Sequence, residues 1–177
     1  MSENGPEEQI HTRLFAEQTR GKSDRALAIE AIVLLDMHLI QLLQAFMVRD
    51  PAEVSELLGE DHPLGSLSAR IRAAYCLGLI STSERDDLWV LKDIWEFFIH
   101  QMEDLSFAHE PLRGWCQMLK LPIRILHADG TRTPRSLFVF TTALLVHQLT
   151  IRIQQADRNH CTVPDEFSMI EHLEKES

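Results

Sequence analysis

Residues 63–81 read PLGSLSARIRAAYCLGLIS, and Thr82-Ser83-Glu84 follow directly. Gly78 stands where a helix closes with a left-handed residue, which glycine adopts without a Cβ penalty. Ser81 with Glu84 three residues on is a capping box, in which each side chain satisfies an orphan amide of a new helix. The stretch therefore predicts a helix from about Leu64 to Leu77, a turn at Gly78, and a second helix from Ser81 to about Asp104. This is an αα-hairpin, and no alternating strand pattern interrupts it.

Upstream, Ser23 caps a long helix that runs to about Val48, where Asp50-Pro51 stops it. A short helix over Glu53–Leu58 ends at Gly59, and an amphipathic helix over Glu7–Thr19 ends at Gly21. Downstream, Pro111, Gly114, Pro122 and Gly130 break the chain between Ser106 and Thr133, with one short helix signalled by Leu112, Trp115, Met118 and Leu119. Thr133-Pro134 opens a last long helix to about Ala156, and an acidic tail follows. The expectation is an all-α chain of about five to seven helices, a single domain over residues 1–177 with its core at about 23–156 and frayed ends.

Composition narrows the function classes. The 17 basic and 27 acidic residues give a formal charge of −10, a field that repels nucleic-acid phosphates. Cys76, Cys116 and Cys161 stand far apart without metal-type spacing, and MSENGPEEQI has no signal-peptide character, so reduced thiols in a cytoplasm are expected. The most apolar stretch, Ala26–Val48, is interrupted by Glu30, Asp36, His38, Gln41 and Gln44, so no membrane span is expected.

Ala74, Gly78, Leu79 and Ile80 have the small-residue and glycine spacing of a DNA-reading helix-turn-helix. The helix after the turn argues against that reading. It opens with Ser83, Glu84, Arg85, Asp86 and Asp87, which would press three carboxylates against phosphates for one guanidinium. Glu84 and Asp87 also fall at positions that should pack inward.

At ~100° per residue, Leu88, Leu91, Trp95, Phe98 and Met102 form the core stripe of that helix. Nearly opposite lie Trp89, Asp93, Glu96 and His100, the candidate partner surface. Glu96 and His100 are one turn apart and suited to pair with each other; no third ligand at helical spacing points to a metal. Trp89 and Phe97 outside the stripe imply a second buried side or a surface that meets a partner.

Asp36 projects among Ile29, Ile32, Ile40, Leu43 and Met47, where a carboxylate needs a counter-charge. Arg70, between Leu67 and Ile71, is the expected partner in a structural ion pair. No nucleophile elbow, phosphate loop or cofactor motif is present, so neither catalysis nor a cofactor is expected.

The segment from Ile32 to about Phe107 resembles the mannitol operon repressor family. The residues that carry the likeness are Asp36, the Leu42-Leu43 pair, Pro63-Leu64-Gly65, Ser68, Arg70, Tyr75, Leu77-Gly78 and Ile80, then an acidic helix ending near Leu105-Ser106-Phe107. The resemblance implies a helical transcriptional regulator without an evident DNA-binding motif, acting through a regulatory protein partner or self-association. It implies no sugar-alcohol specificity, since no ligand residue is matched. A looser likeness is to HEPN-type helical domains, many of them ribonucleases with an arginine shortly before a histidine. With that histidine set on His100, Trp95 and Glu96 stand where arginine and asparagine belong, and Lys92 is too far upstream. That likeness implies an RNA-associated domain without its catalytic cation.

Overall fold

The computed structural model describes residues 21–101, 105–121 and 133–164. The helix expected over Glu7–Thr19, the acidic tail, Met102, Pro122 and Gly130 lie outside the described residues. Among these residues there are helices and no strands: α1 (Asp24–Phe46), α2 (Pro51–Leu58), α3 (Leu67–Cys76), α4 (Thr82–His100), α5 (Leu112–Gln117) and α6 (Pro134–Arg158).

The helices start where short polar side chains satisfy first-turn amides. Ser23 accepts from Ala26, Ser66 from Ala69, and Thr133 from Ser136, at 3.2, 3.2 and 3.1 Å. The capping box at Ser81 and Glu84 is complete. Two boundaries differ from the sequence reading. Asp50 starts α2 rather than stopping α1: its carboxylate accepts from Ala52 and Glu53 at 3.1 and 3.2 Å, with Pro51 in the first turn. The third helix begins at Leu67 rather than near Leu64, because Leu64 and Gly65 are spent in the preceding turn, where their amides bond Leu57 and His62 carbonyls.

Two glycines set the hairpin. Gly78 has φ +72°, and the amides of Leu79 and Gly78 close on the carbonyls of Ala74 and Tyr75, the double bond of a Schellman cap. A Cβ at Gly65 would come 2.1 Å from the carbonyl oxygen of Glu60, so the turn after α2 can pack only around a glycine. At Gly78 a Cβ would meet nothing within 4 Å, so the penalty there is purely conformational. Gly78→Ala is expected to lower stability by about 1 kcal/mol, read as a shifted urea midpoint with an unchanged slope.

α1 is the hub: it packs chiefly along α6 and also against α4 and α3, while α5 lies on α6 and α4. Leu27, Ala28, Ala31, Leu35, Leu39, Leu42 and Leu43 of α1 have no exposed surface. By length and composition alone α1 and α6 are each long and apolar enough to cross a membrane, as core helices also are; here they are each other's main packing partner. Phe107 joins α4 to α6, with ring centroids 5.2 Å from Phe98 and 4.7 Å from Phe138. Its amide is held by Asp24 at 2.8 Å, and Asp24 also pairs with Arg135 at the start of α6. The core side of α4 differs by one position from the expected stripe: Ile94 is fully buried, and Trp95 is half-buried at its edge.

Candidate functional site

On α4, Trp89 is half-buried between two cations: the Arg72 guanidinium lies 5.5 Å and the Lys92 ammonium 5.7 Å from its ring centroid. Such placement over an indole face is attractive and fixes both the ring and the charges. Lys92 also pairs with the Glu96 carboxylate one turn on. The expected Glu96–His100 pairing therefore takes another form. His100 Nδ1 lies 2.7 Å from the backbone carbonyl of Glu96, while the Glu96 carboxylate faces the permanent charge of Lys92.

Asp93, Glu96 and His100 share a shallow cleft of about 310 Å³ with Phe97, Gln101 and Trp115. Trp89 does not line it; it stands further toward the start of α4, beside Arg72 and Lys92. Phe97 meets Trp115 edge to face, with centroids 5.6 Å apart and planes at 89°. Phe97 thus belongs to a second buried side formed with α5.

Asp36 and Arg70 meet. Arg70 Nη1 reaches both oxygens of Asp36, at 2.8 and 2.6 Å, and Nη2 donates to the Leu58 carbonyl at 3.0 Å. One guanidinium thereby ties α1, α3 and the end of α2. Arg70 is 5 % exposed, and its Nε is a buried nitrogen without a partner among the described residues.

The inward carboxylates of α4 also find partners, and sequence spacing could not name them. Glu84, 3 % exposed, is gripped by Arg152 of α6, with Nε and Nη2 each 2.9 Å from a carboxylate oxygen. Asp87, fully buried, accepts the amides of Lys120 and Leu121 at 2.7 and 2.8 Å. Burial pushes the Asp87 carboxyl above its ordinary range, opposed by those two amides. Its neighbour Asp86 is held below that range, first by the hydrogen bond from Lys120 and then by Arg85. The opening of α4, which a helix-turn-helix would present to DNA, thus has its inward carboxylates bound to α6 and to the chain after α5.

A family model described as the mannitol repressor matches residues 7–125. The chain belongs to the mannitol repressor family. The mannitol operon repressor of Escherichia coli (strain K12) is 29 % identical over 154 residues, covering 85 % of this chain and 75 % of that protein. The repressor of Escherichia coli O6:H1 matches to the same extent. The X-ray structure of the MtlR–HPr complex from Escherichia coli has a similar fold, with a TM-score of 0.65 at 22 % identity over 80 % of this chain and 99 % of that one. In this mannitol repressor family member, the signature around residues 63–80 has a physical basis. Gly65 permits a close backbone approach, Arg70 meets Asp36, and Gly78 turns the hairpin. The family match ends before α6, yet α6 supplies Phe138 to the core and Arg152 to Glu84.

Proposed function

We propose that this chain is a bacterial transcriptional regulator of the mannitol operon repressor type that works in the cytoplasm by binding a regulatory protein. It reads no operator itself and performs no chemistry of its own. Its membership in the mannitol repressor family carries this reading. The charge of −10 and the engaged opening of α4 support contact with protein rather than nucleic acid. The solved relative is a complex with HPr, so an HPr-type protein is the partner to try first.

The contact surface proposed is the α4 face of Trp89, Asp93, Glu96 and His100. Its half-buried indole, carboxylates and imidazole give the mix of an aromatic anchor and polar surroundings found at protein interfaces. Self-association through the same face would draw on the same groups.

The test is a titration of the chain with purified HPr from the same bacterium, set beside the double variant Trp89→Ala, Glu96→Ala. Loss of the aromatic anchor should weaken binding by roughly thirtyfold or more, with the helical content of the free chain retained. Equal binding by wild type and variant would remove the α4 face from the interface. Tight, steeply salt-dependent binding to operator DNA, with no protein bound, would overturn the reading as a whole.

A further inference from the structure

Where α1 ends, the chain forms an open apolar groove of about 630 Å³ that shares no residue with the α4 face. Its walls come from the end of α1, from Val54 and Leu57 of α2, from Cys76 at the end of α3 and Leu77 after it, and from Cys161 beyond α6. Cys161 is fixed there by its amide, which donates to the Phe46 carbonyl at 2.7 Å. Among the described residues lining the groove, Glu53 is the one charged side chain. Leu77, 45 % exposed, carries the apolar surface out over the lip instead of closing it.

The segment that carries α2, one wall of the groove, is acidic. Asp50, Glu53, Glu56, Glu60 and Asp61 are all exposed, and no lysine or arginine occurs between Asp50 and Ala69. Arg49, immediately before them, is paired with Asp157 at 3.0 Å. An apolar channel beside carboxylates matches a helix with one apolar stripe and basic flanks. The stripe would lose its water in the channel, and the flanks would meet charges of opposite sign.

We propose that this groove is a docking site for a basic amphipathic helix of a partner protein. Charge separates this occupant from the others within reach. A second copy would bring a chain of net charge −10 to Glu53 and the acidic segment around it. The chain's own C-terminal stretch would bring Asp165, Glu166, Glu171, Glu174 and Glu176 against Lys175 alone. Both meet like charge there.

The fold supplies a reporter for the test. Cys76 and Cys161, distant in sequence, are both exposed and both on the groove wall, whereas Cys116 is buried. Alkylation of the full chain by N-ethylmaleimide, followed cysteine by cysteine by mass spectrometry, reads occupancy directly. The probe is a synthetic peptide of about 18 leucines and lysines at helical spacing, compared with the same peptide carrying glutamate for lysine.

At about ten times its dissociation constant the lysine peptide should slow alkylation of Cys76 and Cys161 about tenfold, and added salt should weaken the protection. Glu53→Gln and Leu77→Asp, both at exposed positions, should reduce the protection while Cys116 stays unreactive, the sign of an intact fold. Unchanged rates at the two thiols, equal protection by the glutamate peptide, or full protection in both variants would each overturn the proposal. Protection that grows with protein concentration alone would give the groove to a second copy and overturn it as well.

Discussion

Replacing Arg70 with alanine is expected to remove about 3–5 kcal/mol of folding free energy, measured by urea titration. The guanidinium is 5 % exposed, both oxygens of Asp36 receive Nη1, and the Leu58 carbonyl receives Nη2. Its loss leaves a carboxylate and a carbonyl facing an apolar gap between α1 and α3. The Asp36 side chain is 27 % exposed, so water can recover part of the loss, which places Arg70→Ala at the lower end of that range. Asp36→Ala should be the worse variant, because it strands a cation that water can hardly reach. Asp36→Leu with Arg70→Met, which removes both charges and refills the space, should recover most of the stability. A double-mutant cycle without coupling between the two positions would show that the pair does not dock these helices.

This pair also marks what could be read from the sequence. Asp36 and Arg70 each intrude on an apolar stretch, and the cost of burying a charge alone forces such residues together even across a long separation. Helix starts were legible for a different reason: a cap and its amide lie within three residues, so Ser23, Ser81 and Thr133 carry their own instructions, whereas the cap at Ser66 was passed over for a start near Leu64. Where local rules competed, the reading failed. Asp50-Pro51 fits the end of one helix as well as the start of the next, and both side chains serve the start. Glu96 could pair one turn forward with His100 or one turn back with Lys92, and the permanent charge holds it. Ile94 and Trp95 sit on adjacent edges of one stripe, and only the packing of α4 against its neighbours decides which is enclosed. The partners of Glu84 and Asp87 were out of reach altogether. Arg152 has no unusual sequence setting, and the amides of Lys120 and Leu121 carry no side-chain signal. The meeting of Cys76 and Cys161 at one groove is likewise a product of the fold, with no spacing that announces it.

Asp87→Ala is expected to cost about 2–4 kcal/mol, since it leaves the amides of Lys120 and Leu121 without their acceptors and frees the chain after α5 from α4. The loss is smaller than two orphaned amides alone would give, because the substitution also removes a buried charge. The pH dependence separates Asp87 from Asp86. The Asp87 carboxyl is raised above its ordinary value of 3.8, so the folded chain holds this proton more tightly than the unfolded one. Its titration therefore favours folding most at acid pH, below 3.8, and that contribution declines as pH rises through the raised value. Asp86 has the opposite sign: lowered by Lys120 and Arg85, it contributes above 3.8 and loses that contribution as pH falls through the lowered value. Thermal midpoints followed from neutral pH down to about pH 3 should show this directly. Asp86→Asn should flatten the acid-side loss of stability. Asp87→Asn should steepen it, because the proton uptake that favours the folded chain is gone. Parallel curves for the two variants would mean that the Asp87 carboxyl is not raised in the folded chain.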